Sequence, residues 1–298
     1  MHAQGDDMSC GLLNIDKRPG WTSRDVVNVV QRLVRPLKVG HAGTLDPLAT
    51  GVLLVCVGAA TRLTQYAHRL PKSYTGAFLL GRHSPTEDVE GQVTELVDPP
   101  IPSYDEVIVA AGRLVGPIDQ RPPAYSALKL AGRRAYDLAR RGETVDLAPR
   151  PVTIYSLEVV RYEYPELVLR IQCSTGTYVR SLGRDLAESL GTAAVMSGLV
   201  RTAIGPFRVE EAIGLDVLTA ENWTEHLQPP RLAVSTLPQC VLAPEDVARI
   251  RTGLAVHGDP PSPEAAEIAA FDEQGQLLAI LRSRGPGQLG PSINLPHG

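Results

Sequence analysis

The residues best placed to do chemistry lie between Gly40 and Gly51, in the string G-H-A-G-T-L-D-P-L-A-T-G. Its three glycines permit positive φ or a close backbone approach. Asp46 precedes Pro47, which biases it to an extended conformation. A carboxylate on a stiff loop ahead of an apolar strand can serve as a nucleophile or as a fixed negative charge. An Asp before Pro also caps ordinary turns, and composition alone favours that plainer role. A second acidic group is Glu87, Asp88 and Glu90; a solvated loop is the better expectation there than a metal site. The four cysteines (Cys10, Cys56, Cys173, Cys240) are widely spaced, with no C-x-x-C. That argues against a zinc site or a disulfide framework and fits a reducing cytoplasm. Cys56 and Cys173 fall in apolar stretches and read as core. Neither G-x-G-x-x-G nor G-x-x-x-x-G-K-[ST] occurs, so no nucleotide-cofactor cradle is expected.

The elements that must hold this loop follow from pattern. Gly11–Asp16 reads as a strand stopped by Pro19-Gly20. Thr22 and Ser23 are N-cap candidates for a helix whose Val26, Val27, Val30, Leu33 and Val34 recur at helical spacing before Pro36. Val52–Val57 is a continuous apolar strand behind the Asp46 loop. A helix is expected over Thr61–Leu70, a strand over Ser73–Leu80 and a polar loop over Gly81–Gly91. Ser103-x-x-Glu106 is a capping box opening a helix to about Val115. Strands follow at Val152–Tyr162 and Leu167–Cys173, then a helix at Tyr178–Leu190 with Gly191 as its stop. Leu199–Phe207 reads as a strand and Leu215–Leu227 as helical. Gln228–Leu237, with Pro229-Pro230, reads as a linker. Beyond it come a short helix at Pro244–Gly253 and a hairpin of Glu267–Phe271 and Gln276–Leu281. The tail from Gly285 is rich in Gly and Pro. Strands sit next to one another without regular helical alternation. The expected fold class is therefore α+β, a mixed, mainly antiparallel central sheet with flanking helices, rather than a doubly wound sheet.

The chain has 298 residues and a formal charge of −4, enough for one large or two modest domains. Hydrophobic content of 43% is ample for a core, and no apolar run approaches the ~20 residues that span a membrane. The first ten residues carry no apolar leader segment. The charge is uneven. Between 129 and 150, six basic residues (Lys129, Arg133, Arg134, Arg140, Arg141, Arg150) face only Asp137, Glu143 and Asp146, a local +3. From 238 onward, four Arg face seven acids, a local −3. A uniformly basic nucleic-acid coat is excluded, but a local basic path is not.

An ordered set of motifs gives these residues a common meaning. Gly40–Gly51 resembles the signature of the bacterial tRNA pseudouridine(55) synthase family (TruB type). Leu13–Ser23 (L-N-I-D-K-R-P-G-W-T-S), Lys72-Ser73-Tyr74, Pro123–Gly142, Cys173–Arg180 (C-S-T-G-T-Y-V-R) and Leu199–Phe207 (L-V-R-T-A-I-G-P-F) resemble further family motifs, in the family's order. Arg18, between Lys17 and Pro19, departs from the pattern.

The resemblance implies a pseudouridine synthase fold over 1–235, with an RNA-gripping, thumb-like segment at about 120–150. It also implies a small β-rich, PUA-like auxiliary domain over 236–298. Asp46 matches the catalytic aspartate, whose attack on ribose or base lets the uracil detach, turn and rejoin through carbon 5. Arg180 matches the arginine that pairs with it, and Tyr74 the aromatic that stacks on the base and handles a proton. Tyr178 and Leu199 match further uracil contacts, and His41 the histidine that inserts into the T-loop. Lys129 and Arg133 fall in the arm-contacting segment. The implied reaction needs neither cofactor nor metal. The implied setting is a cytoplasmic monomer acting on the T-arm of tRNA, with a tRNA-folding chaperone as the alternative role.

Overall fold

The computed structural model describes residues 10–126, 129–130, 133–134, 147–262 and 265–295. Its main sheet runs β1 (Gly11–Lys17), β3 (Thr50–Val57), β12 (Ala194–Ile204), β4 (Lys72–Leu80), β11 (Glu166–Cys173), β10 (Arg150–Glu163) and β7 (Gly116–Gln120). Neighbours are antiparallel except at β3 and β12, which touch in parallel through Val200 with Thr50 and Arg201 with Gly51. Short β2 (Val39–His41) pairs with β3, and β13 (Phe207–Arg208) with β12. The α+β, mainly antiparallel expectation therefore holds, and β12 is the strand that joins the two halves of the sheet.

The continuous apolar run of β3 serves two cores. Leu54 and Cys56 enter one cluster with Leu12, Tyr66 and Ile280, while Leu53, Val55 and Val57 enter another with Val26, Val30 and Trp223. A strand covered on both faces cannot alternate apolar with polar residues. Each such side chain contributes about 1.5–3 kcal/mol on leaving water. Helix α1 (Ser23–Leu33) starts with a Thr22/Asp25 capping box, and α3 (Tyr104–Arg113) with the Ser103/Glu106 box. Helix α4 (Val179–Ser189) lays Leu182 and Leu186 into a third cluster with Phe78, Leu169 and Ile171. Gly183 lets Phe78 close on this helix, because a Cβ there would overlap the ring.

Two sequence expectations need correction here. Leu215–Leu227 holds only a four-residue 3₁₀ turn, Trp223–His226. The Asn222 side chain explains this: it accepts from the Thr219 amide (2.8 Å) and donates to the Val217 carbonyl (2.9 Å), taking up groups a helix would use. The supposed linker is core: Pro230–Val234 is a 3₁₀ turn with Ala233 and Val234 fully buried. The Gly- and Pro-rich tail contains a strand, β18 (Gln288–Asn294). Its Pro291 lies beyond the Val256–His257 pairing on one edge and on the other faces Leu281 at a register shift between Ile280 and Leu281, the kind of irregularity where a strand accommodates proline.

That tail strand completes a five-stranded sheet in the order β14 (Gln239–Val241), β16 (Ile268–Phe271), β17 (Leu277–Gly285), β18 and β15 (Val256–His257). Helix α2 (Thr64–Arg69) packs against the same region, since Ala269, Phe271, Leu277 and Ile280 share a cluster with Tyr66 and Ala67. Glu267 locks the contact by accepting from Tyr66 Oη (2.8 Å), Arg69 (2.7 Å) and Arg282 (2.5 Å). Burial alone would raise its pKa, but these hydrogen bonds carry it down to about 2. A depressed carboxylate stabilises the fold above its ordinary value near 4.5, and that contribution fades as pH falls toward 2. Glu267→Gln should therefore lower Tm at pH 7 by about 2–5 °C, a modest figure because both arginines are half-exposed. The gap from the parent should close on acidification; a gap constant from pH 7 to pH 3 would refute the clamp.

Candidate catalytic site

A cavity of about 970 Å³ opens where β4, β12, α4 and the Asp46 loop converge, and Asp46, Lys72, Tyr74, Tyr178, Arg180 and Leu199 line it. The Asp46 loop is held by its backbone. Arg201, on β12 and 1% exposed, donates Nε to the Val52 carbonyl (2.7 Å) and its two Nη groups to those of Gly43 (3.1 Å) and Thr44 (3.4 Å). Ser23 Oγ accepts from the Leu45 amide (2.8 Å). The Pro47 carbonyl accepts from the Gly20 amide (2.9 Å) and Lys17 Nζ (3.3 Å). Lys17 also donates to the Trp21 carbonyl (2.7 Å), so the extra residue Arg18 leaves this attachment intact. Arg18 itself forms an exposed pair with Asp216. Lys17 is fully buried; burial and Arg201 bring its pKa down to about 8, against the pull of Asp46.

With the backbone so fixed, the Asp46 carboxylate projects into the cavity, 36% exposed, and meets Arg180 Nε at 3.0 Å. Arg180 springs from the first turn of α4 and is 7% exposed. Its Nη1 donates to the Thr86 carbonyl (2.7 Å) and lies 3.4 Å from Asp88, and its Nη2 donates to the Tyr125 carbonyl (3.2 Å). Every face of the guanidinium is thus committed, which pre-sets its direction. Asp88 is buried. Of the acidic loop expected to be solvated, Glu90 is exposed, but Asp88 is packed against this arginine, and spacing alone carried no sign of that.

The other expected residues divide. Tyr74 (β4) is 8% exposed; burial raises its pKa, and the facing Arg201 pulls the other way. Leu199 (β12) lies opposite Gly76 on the neighbouring strand, with its side chain on the cavity wall. Tyr178 caps α4 without a side-chain bond; Gln120 does the work from β7, accepting from the Tyr178 amide (2.8 Å) and donating to its carbonyl (3.1 Å). His41 ends β2 and is not part of the cavity lining; burial lowers its pKa, so the ring is neutral at pH 7. The backbone of Lys129 pairs with that of Arg134, and the backbone of Arg133 with that of Leu130, in a two-stranded sheet; their side chains lie outside what the structure describes. Gln120 and Arg201 had no assigned role from sequence. An Arg inside the largely apolar β12, where it is the lone charged residue, was the available signal for the second. Gln120→Ala should free the start of α4 and lower turnover about tenfold, as sub-ångström misplacement does. Substrate KM should stay within threefold, and turnover equal to the parent would refute the role.

Among the described residues, no group of three or more His, Cys, Asp or Glu is placed to hold a metal ion. The chemistry available is a carboxylate aimed by an arginine, beneath flat and apolar walls.

The model of the TruB family pseudouridylate synthase (N terminal domain) matches residues 31–179. A tRNA pseudouridine synthase B of Thermobifida fusca is 41% identical over 292 residues, covering 93% of this chain and 96% of that protein. The chain belongs to the TruB family. Another tRNA pseudouridine synthase B, from Paenarthrobacter aurescens, is 40% identical over 290 residues, with 93% of each chain covered. Among solved structures, a chain of a Cbf5–Nop10–Gar1 complex superposes with a TM-score of 0.73 at 27% identity, covering 96% of this chain and 84% of that one. As a TruB-family pseudouridylate synthase, this protein is an isomerase. The family match spans the Asp46 loop, Tyr74, Gln120 and Tyr178 and ends one residue before Arg180.

Proposed function

We propose that this TruB-family enzyme isomerises uridine 55 in the T-loop of tRNA to pseudouridine, with Asp46 as the catalytic carboxylate. The observation that carries the reading is the Asp46–Arg180 pair at 3.0 Å, set in a cavity that Tyr74, Tyr178 and Leu199 wall for a flat base. The relatives named tRNA pseudouridine synthase B supply the substrate class. In the reaction the N1–C1′ bond of the uridine breaks, the uracil turns, a C5–C1′ bond forms, and the proton on C5 is replaced at N1. Asp46 attacks the bound uridine, and Arg180 holds it aligned. Tyr74 stacks on the extruded base and takes part in proton movement, while Tyr178 and Leu199 fill its edges. Extruding the base costs a few kcal/mol, which these contacts, His41 and phosphate contacts from Lys129 and Arg133 offset. Binding follows RNA shape and a local basic path, so its salt dependence is modest for an RNA-binding protein.

We assign the chemistry to residues 1–235 and an auxiliary, PUA-like role to 236–298, in a monomer that works in the cytoplasm. The deciding experiment is mass-spectrometric mapping of pseudouridine in a tRNA transcript incubated with the purified protein alone. Pseudouridine at position 55 only supports the assignment. Product elsewhere, or product only when a guide RNA and protein partners are added, overturns it.

A further inference from the structure

Helix α4 carries a second arginine, Arg184, one turn beyond Arg180 and on the same face. Its side chain is 19% exposed and meets Glu87, itself 12% exposed. Arg184 also donates to Asp185 (2.7 Å) and to the Arg121 carbonyl (2.8 Å). Glu87 accepts in addition from Ser181 Oγ at 2.6 Å. Its backbone is held in the left-handed region, φ 61°, a conformation that costs about 1 kcal/mol or more for a residue with a side chain. The Met196 amide donates to the Glu87 carbonyl (2.9 Å), which ties the same residue to β12.

Glu87 stands between the two residues that grip Arg180, namely Thr86 through its carbonyl and Asp88 through its carboxylate. Arg180 and Arg184 thus both reach the loop of residues 84–90 on one side. On the other, both reach the carbonyls of residues 121–125, Tyr125 from Arg180 and Arg121 from Arg184. A buried ion pair adds little to stability on its own account, because desolvating two charges offsets their attraction. Burial in fact leaves the Glu87 carboxyl above its ordinary pKa despite Ser181 and Arg184. A strained residue holding a costly charge needs another reason to be there, and alignment of Arg180 supplies it.

We propose that Glu87 and Arg184 are positioning residues for the isomerisation: their pair fixes the 84–90 loop and residues 121–125 against α4, so that Arg180 presents Nε to Asp46. The inference rests on the reading of Asp46 and Arg180 as the reacting pair, and the test separates the two. Turnover of a T-arm RNA and KM are measured for the full-length protein and for Glu87→Gln, Arg184→Met, Arg184→Lys and the Glu87→Gln/Arg184→Met double variant, well below each Tm. Each neutralising single variant should lose about tenfold in kcat with KM within twofold. The double should fall no more than threefold below the weaker single, because the two act as one unit. Arg184→Lys should recover at least threefold over Arg184→Met. Wild-type kcat in both single variants, losses that multiply, or a Lys variant no better than Met would each overturn the inference. Should Arg184→Met fail to fold, Glu87→Gln and Arg184→Lys decide the matter alone. An Asp46→Asn control that retains activity would sink the underlying reading instead.

Discussion

Replacing Asp46 by Asn should abolish measurable pseudouridine formation, a loss of at least ~10⁴-fold in kcat, while changing RNA affinity less than about threefold. The substitution removes a negative charge and a nucleophilic oxygen but almost no volume. Two other carboxylates line the cavity, but Asp88 is buried against Arg180 Nη1 and Glu90 is exposed, whereas Asp46 is the one that meets Arg180 Nε. Lys72, Arg180 and Arg201, also in the lining, are cationic or donor groups. The fold should survive, because Arg180 keeps Asp88 and two backbone carbonyls when its partner is neutralised. Affinity should survive as well, because phosphate contacts dominate RNA binding and lie away from this carboxylate. Gel-shift titration and product mapping on the same preparation check both halves. Residual turnover within a hundredfold of the parent would mean that another group does the chemistry.

What could be read from sequence divides along a physical line. Signals written in local spacing were legible: the two capping boxes, the helical valines of α1, the unbroken apolar β3 and the hairpin at Asp272–Gly275. The Asp46 loop was legible as a loop, and its resemblance to a family signature gave the aspartate its role. The Asp46–Arg180 contact itself joins residues 134 positions apart in sequence, so only the ordered set of motifs pointed to it. Contacts between a side chain and a distant backbone were not legible. Arg201 recognises carbonyls, and any residue supplies a carbonyl, so its partners at Gly43, Thr44 and Val52 left no trace in residue type. The same holds for Gln120 and the backbone of Tyr178. The buried Pro230–Val234 turn was misread for a related reason: proline reports local chain stiffness and says nothing about what lies on top of it.

Arg201→Met should be the most damaging change outside the reacting residues, costing about 2–4 kcal/mol of stability and about 10²-fold in kcat. Three buried carbonyls lose a charged donor, each worth ~1–3 kcal/mol when left unmet. Part of that is returned, since a fully buried guanidinium with no carboxylate partner among the described residues is itself expensive to desolvate. Methionine fills much of the vacated volume, so cavity formation adds little. The kinetic loss follows from where the carbonyls lie. Gly43 and Thr44 precede Asp46 and Val52 follows it, so one side chain staples both ends of the catalytic loop to β12. The backbone of Arg201 reinforces the staple by pairing with Gly51, whose φ is 91° and whose missing Cβ leaves room for the Arg201 carbonyl. Gly51→Ala, which adds both a clash and backbone strain, should therefore reproduce the Arg201→Met phenotype from the other side of the contact. Lysine at 201 keeps the charge but cannot span three carbonyls, and should fall between methionine and the parent. Denaturant unfolding with turnover of a T-arm RNA checks all three variants. An Arg201→Met protein within 0.5 kcal/mol and threefold of the parent would show, on these scales, that Ser23, Gly20 and Lys17 hold the loop without it.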